Sequence, residues 1–313
     1  MPEPRPGQVL VRVVRVGLCG TDLHIVAGAH PRARFPLVLG HEIVGRLDGS
    51  DDDAALVVVD PLIACGSCVA CRLGERHICA RLRLIGIDAD GGLAGHVTVD
   101  DDRVHPVPAR LDADSAVLAE PLAVAVHAVR RAAIEQGEVV VIVGAGPIGL
   151  LLAFVARRAG VERIFMSEPS PTRRAFAATF ELELLDASDP VADLTRRTDG
   201  RLADVAFDAA GAPPVAAILP HLVRSAGRIA LVGVYGHPAE VDLQAVVFRE
   251  QTILGNRVYT PADIDQALAL LSDHGEAIRT VVSEVVPLTE AAAAFERFRT
   301  GLGVKTVVTF EAP

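Results

Sequence analysis

The sequence predicts an α/β protein whose second half carries a parallel sheet wrapped on both faces by helices. Three observations predict it. Residues 139–156, VVVIVGAGPIGLLLAFVA, form a charge-free run of 18 residues, β-branched at first and then Leu/Ala-rich. Gly144, Gly146 and Gly149 set a G-x-G-x-x-G at the junction between those halves. Strand-like and helical patterns then alternate to about residue 259, the order that builds a parallel sheet. By length alone the run could cross a membrane. Its glycines, Pro147 inside them and Gly160 as a stop instead fit a buried strand, a tight turn and a helix.

Each residue of that turn has a physical task. Gly144 allows the turn, Gly146 lets backbone approach a pyrophosphate, and Gly149 lets the helix lie close to the strand. Pro147 and Ile148 open the helix, whose free N–H groups suit phosphate. Glu168 comes 19 residues after the last glycine. A carboxylate there accepts from a ribose 2′-hydroxyl and repels a 2′-phosphate, which favours NAD over NADP. Arg173 is placed along the adenosine. The strand-like runs are 139–143, 163–166, 205–207 and 228–233, with helices at 171–180 and 213–223. The strand ends at 208–211 and at Val232 and Val234 are expected to line the nicotinamide side.

A chain of 313 residues, 50% hydrophobic, has room for two domains and a sizeable core. Its net charge of −10 argues against binding nucleic acid or an anionic membrane. Aromatic residues at 4%, with no Trp, leave little for stacking bases. The opening MPEPRPGQ has no apolar signal segment, so a cytoplasmic protein without a membrane span is expected. Five cysteines in a reducing compartment point to metal or catalysis before disulfides.

Residues 8–15 alternate Val9, Val11 and Val13 with polar neighbours, as a half-buried strand does. The stretch 17–24 then brings Cys19, Thr21 and His24 within six residues, and His41 and Glu42 come next at 41–42. Cys, His and Glu together can hold zinc, which accepts S, N and O ligands. Cys65, Cys68, Cys71 and Cys79 form C-x2-C-x2-C-x7-C. Four thiolates in one loop match a closed tetrahedral zinc site, with an Fe–S cluster as the other reading. Asp51, Asp52 and Asp53 read as a solvated turn. His96 and His105 read as surface or satisfied histidines, and His127 as helix packing. Glu120 lies in an otherwise apolar stretch, 116–129, where a carboxylate needs a partner.

The CGTDLH at 19–24, the GHE at 40–42, the four-cysteine lobe, the EPL at 120–122 and the glycine turn occur in this order across nearly the whole chain. In this the chain resembles the zinc-dependent medium-chain dehydrogenases, and within them the sorbitol, threonine and 2,3-butanediol dehydrogenase branch. The resemblance implies a GroES-like, mainly-β catalytic domain over 1–122 and 260–313, with a zinc lobe at about 62–82. A Rossmann domain would span 123–259. It implies two zincs per chain and NAD(P)-linked oxidation of a secondary alcohol of a polyol, vicinal diol, sugar, cyclitol or hydroxy-amino acid. It implies a catalytic zinc on Cys19, His41 and either Glu42 or Glu120, with the four cysteines holding a structural zinc. Thr21 would take the substrate's proton and His24 pass it to solvent. Lys305, in the GVKT at 303–306, would lie near the cofactor pyrophosphate. A homodimer or homotetramer is expected, with the sheet edge near Ile253 as a pairing strand.

Two departures from the family set an alternative. The chain begins close to the strand that leads into Cys19, where the family has about 25 residues more by ordinary strand and turn lengths. The stretch 45–57 is also shortened. The alternative is a cofactor-binding homologue with little catalysis and a distorted catalytic position. A zinc-free reductase is a third reading, opposed by the presence of every ligand.

Overall fold

The computed structural model describes residues 1–49, 55–301 and 303–311. The chain divides into two compact units, Met1–Ala123 with Tyr259–Pro313, and Val124–Val258. Asp51, Asp52 and Asp53 lie outside the described residues.

The first unit contains β1 (Gln8–Gly17), β2 (Glu42–Leu47), β3 (Val57–Val59), β4 (Leu62–Ile63), β5 (Arg83–Leu84), β6 (His96–Asp100) and β7 (Val104–Pro106). The second contains β8 (Val139–Val143), β9 (Arg163–Ser167), β10 (Glu183–Leu184), β11 (Ala203–Asp208), β12 (Val223–Leu231) and β13 (Thr252–Gly255). The chain returns to the first unit with a helix at Pro261–Arg279, β14 (Val282–Pro287), a helix at Ala291–Arg299 and β15 (Lys305–Thr309).

In the first unit the strand order is β14-β15-β1-β2-β3-β7, and β6 also pairs with β1. The alternation read at 8–15 is real but changes phase. The register against β2 shifts between Val13 and Arg15, so Val13, Val14 and Val16 are all buried. A bulge of this kind adds a residue and re-aims the side chains beyond it. It carries β1 on to Gly17, two residues before Cys19. Val11, Val13, Val16, Ile43, Val57, Val59, Ile85, Val97 and Val99 close the core beneath.

The second unit is a parallel six-stranded sheet, ordered β10-β9-β8-β11-β12-β13. This doubly wound order reverses direction between β8 and β11, where such sheets form a crevice at their carboxyl ends. Every residue of β8 is buried, which explains why that strand reads as a continuous apolar run. A Cβ on Gly149 would collide with the carbonyl oxygen of Gly144. Only glycine permits that approach of helix to turn. Among the described residues no helix is long and apolar enough to cross a membrane.

The apolar stretch around Glu120 lies on two helices, Ala113–Ala116 and Ala119–Arg131. The helix opening at Pro261 continues to Arg279 through a kink at His274. His105 is buried, with Nδ1 2.8 Å from Asp265 Oδ1, and His127 is buried within its helix.

Asp204, the second residue of β11, ties the start of the second sheet together. It accepts from Val139 N at 2.8 Å, Arg224 Nε at 2.6 Å and Arg201 Nη2 at 2.9 Å. Burial opposes its ionisation, but the Val139 amide and the two arginines outweigh that and lower its pKa. A carboxyl depressed in the folded state stabilises above its unfolded pKa, about 3.9, and loses this as pH falls through the folded value. Asp204→Asn is expected to cost about 2–3 kcal/mol at pH 7. The gap to wild type should narrow below about pH 4 in urea unfolding monitored by circular dichroism.

Candidate active site and metal centres

The end of β1 and the start of β2 bring the first cluster together. Gly17 has no side chain to spare: a Cβ there would collide with Glu42 Oε2 and stand 2.9 Å from Lys305 Cε. Cys19 precedes the helix Gly20–Val26, and its backbone N–H donates to Asp22 Oδ2 at 2.9 Å. That bond fixes the turn carrying the thiol. One donor atom each from Cys19, His41 and Glu42 lies within 4.8 Å of the others, the compactness a metal requires.

The electrostatics say what is missing from this cluster. Asp22, Glu42 and Glu120 are buried carboxylates, at 0%, 1% and 7% exposure, and the Cys19 thiol adjoins them. Lys305, 1% exposed, is ion-paired with Glu42, and its Nζ donates to the Leu18 carbonyl at 3.0 Å. Burial alone would lower the pKa of His41, but Cys19, Asp22 and Glu120 raise it well above the ordinary value. Burial raises Glu120 to about 7, with Glu42 adding to the rise and His41, Tyr259 and Lys305 opposing it. Both shifts express one surplus of negative charge, which a divalent cation would neutralise. His41 Nδ1 lies 3.8 Å from Asp22 Oδ1, and among the described residues neither atom has a hydrogen-bond partner. A carboxylate facing one ring nitrogen favours a proton there electrostatically and leaves the other nitrogen for a metal. Zinc therefore fits the donor set.

Of the two carboxylates in question, Glu42 joins the compact group and Glu120 does not. Glu120 Oε1 accepts from the fully buried Tyr259 hydroxyl at 2.8 Å. Thr21, half-buried, accepts from Cys19 Sγ at 3.7 Å, and His24 is exposed on the same short helix. Lys305, which the family resemblance puts near a pyrophosphate, is buried and paired with Glu42, where Gly17 leaves room for it. Sequence reasoning also gives no role to Asp22 or Tyr259. Asp22 has a signal, an acid three residues after a capping Cys at a helix start. Tyr259 has none, since its partner is 139 residues away.

The four-cysteine loop is the second cluster. Sγ separations are 3.4 Å for Cys68–Cys71, 3.9 Å for Cys68–Cys79 and 4.0 Å for Cys65–Cys71. A tetrahedron of thiolates at about 2.3 Å from zinc has edges of about 3.8 Å. Backbone N–H groups of Cys65 and Arg81 donate to Cys79 Sγ, both at 3.3 Å. The Ser67 amide and Arg81 lower Cys65 to about 5, whereas burial holds Cys71 up at about 11. Val69, Leu73 and Ile78 point outward, at 64%, 74% and 45% exposure. Apolar burial does not close this loop, so a metal on the thiolates is the available cross-link.

In the second unit, Gly144 N donates to Ser167 O at 2.8 Å, and nothing lies within 4 Å of a Cβ built on Gly146. The helix Pro147–Arg158 starts there, with Pro147 and Ile148 partly open. Glu168, just past β9, is buried and accepts from Ala145 N and Ser170 N, each at 2.8 Å. Those bonds fix its orientation beside the glycine turn. Arg173 is half-buried on the next helix. Asp208 is fully buried, taking Ala210 N, Gly211 N and the Tyr235 hydroxyl, so it shapes the 208–211 turn. Val232 is half-buried and Val234 is 89% exposed.

Comparison with known proteins agrees with this architecture. Residues 5–109 match the alcohol dehydrogenase GroES-like domain, and residues 147–273 match the zinc-binding dehydrogenase family. The 2-dehydro-3-deoxy-L-galactonate 5-dehydrogenase of Pseudoalteromonas atlantica is 36% identical, over 93% of this chain and 88% of its own. The L-galactonate-5-dehydrogenase of Escherichia coli K12 is 34% identical, over 99% and 94%. A Sinorhizobium meliloti 1021 protein solved with NADP superposes with a TM-score of 0.90 at 31% identity, over 98% of this chain and 93% of its own. An alcohol dehydrogenase of E. coli CFT073 complexed with NADH also gives 0.90, at 26% identity over 99% and 94%. The chain is thus a dehydrogenase of the zinc-binding alcohol dehydrogenase family, with a GroES-like domain and a Rossmann domain.

Proposed function

We propose that this dehydrogenase uses zinc and NAD to interconvert a secondary alcohol of a polyol or sugar acid and the corresponding ketone. The compact Cys19–His41–Glu42 donor group within a surplus of buried negative charge carries the reading. The polyhydroxylated substrate class is supported by the galactonate-related relatives.

Cys19, His41 and Glu42 would hold the catalytic zinc, with Glu120 beside it on Tyr259, and the four cysteines a structural zinc. Bound zinc would acidify the substrate hydroxyl, and bound NAD would accept the hydride. The residues manage charge and protons around that chemistry. Thr21 takes the hydroxyl proton, and exposed His24 releases it to solvent. Asp22 holds His41 in orientation. Lys305 restrains Glu42 against the β1 end. Gly144, Gly146, Pro147, Ile148 and Gly149 cradle the pyrophosphate. Glu168 takes the adenosine ribose hydroxyl, with Arg173 along the adenosine and Val232 and Val234 toward the nicotinamide.

The protein is assigned to the cytoplasm as a homodimer or homotetramer. Its sheet edge β13, with Ile253 37% exposed and Leu243, Val247 and Phe248 more than 60% exposed nearby, supports pairing between copies.

The two zinc roles separate by mutation. Cys19→Ser should lower kcat/KM about 1,000-fold or more while the thermal midpoint stays near wild type. Cys68→Ser should instead destabilise by about 3 kcal/mol or more. Steady-state kinetics with differential scanning calorimetry distinguishes them, and normal turnover by Cys19→Ser would refute the assignment.

The cofactor and substrate readings are tested together by NAD⁺ and NADP⁺ reduction across polyols, sugar acids, cyclitols and hydroxy-amino acids. Turnover is expected with polyols or sugar acids, faster with NAD⁺. Glu168→Gln should reduce that preference by about tenfold or more. A preference for NADP⁺ in the wild type would contradict the role of Glu168.

A further inference from the structure

Arginines in this chain are commonly matched with carboxylates of their own. Arg163 forks onto Glu183 with two bonds of 2.7 Å. Arg228 pairs with Glu138, and buried Arg103 with Asp60. At one place three arginines stand beside a single carboxylate. A concavity of about 440 Å³ in the second unit is lined by three arginines, Arg201, Arg224 and Arg249, together with Ser225. Among the described residues, Asp204 is the one carboxylate paired with any of them.

Asp204 cannot neutralise all three. Its side chain is 4% exposed and already serves Val139 N as well as Arg224 Nε and Arg201 Nη2. Among the described residues, the Arg249 guanidinium has one acceptor, the Pro220 carbonyl at 3.1 Å. The lining therefore keeps an excess of two positive charges in a protein whose net charge is −10. Asp204 also fixes the geometry, holding two guanidinium groups by one edge each. Arg224 Nη1 is further anchored on the Ser225 carbonyl at 2.8 Å. Among the described residues, Nη2 of Arg224, Nε and Nη1 of Arg201, and Nε and Nη2 of Arg249 have no protein acceptor. Ala226, at φ +56°, donates its N–H to the Arg249 carbonyl at 2.7 Å and so ties the irregular start of β12 to Arg249.

The location separates this feature from the glycine turn. Arg201 precedes β11 and Arg224 opens β12, so the concavity lies at the amino ends of the parallel strands. The glycine turn lies past the carboxyl end of β8, at the other end of the same sheet.

We propose that this arginine-lined concavity is a second ligand site, binding a small polyanion with at least two phosphate or carboxylate groups. Planar guanidinium forks match both oxyanions geometrically. A volume of about 440 Å³ suits a small metabolite. The net negative charge of the chain disfavours indiscriminate anion binding, so retention would report this lining.

Isothermal titration calorimetry on the full-length protein tests the site, with saturating NAD⁺ present to fill the dinucleotide site. Pyrophosphate and citrate are titrated against sodium chloride of matched ionic strength. Saturable binding at one equivalent per chain is expected for at least one polyanion. The stronger of the two identifies the phosphate or the polycarboxylate source. Arg249→Glu should weaken that binding about tenfold or more, and Arg201→Gln should weaken it less, both with unchanged NAD⁺ affinity. Arg201→Gln leaves the Arg224–Asp204 pair in place and carries the test if the charge reversal fails to fold. No saturable heat beyond that of sodium chloride, or full-strength binding in the variants, overturns the proposal.

Discussion

An unbalanced group of buried acids governs the first unit. Asp22, Glu42 and Glu120 are all withdrawn from water, and Lys305 is the one fixed cation among the described residues set beside them. Burying ionised carboxylates without compensation is strongly unfavourable. The protein answers in three ways at once. Lys305 is held against Glu42, His41 is biased toward its cationic form, and Glu120 is raised toward its neutral form with the Tyr259 hydroxyl beside it. A divalent cation among Cys19, His41 and Glu42 would remove the need for the last two.

The fold can be understood as the means of holding that charge in place. The β1 bulge decides where the strand ends and thus where Cys19 stands. Gly17 yields the volume that Glu42 and Lys305 occupy. β15, paired with the end of β1, brings Lys305 from the far end of the chain to within reach of Leu18. The second unit solves a different problem by different means. It holds few charges at its turn and relies on backbone: the Gly149–Gly144 approach, the open Gly146 and a Glu168 fixed by two amides. One unit is built to concentrate charge and the other to present N–H groups.

The sequence is legible where chemistry is local. The 139–143 strand has the same limits in the structure, because an all-buried parallel strand has no alternation to blur its ends. The four-cysteine spacing and the 19–24 stretch are likewise readable, since their partners lie within a few residues. Contacts across long sequence separations are not. Tyr259 reaches Glu120 over 139 residues and Lys305 reaches Leu18 over 287, and no periodicity carries that information. The burial of Lys305 is hidden for the same reason. A lysine in a short polar stretch reads as solvent-facing until β15 is known to run beside β1. The break at Val117–Leu118 between two helices is hidden because every residue from 115 to 123 is buried, which erases the helical stripe.

The central claim is that a zinc ion completes the charge cluster at the end of β1. An anomalous difference map collected at the zinc edge from crystals of the protein tests it directly. The account predicts two peaks, one among the four cysteines and one among Cys19 Sγ, His41 and a Glu42 oxygen. A single peak at the four cysteines, in zinc-replete crystals, would contradict it and leave the buried carboxylates to be balanced by protons alone.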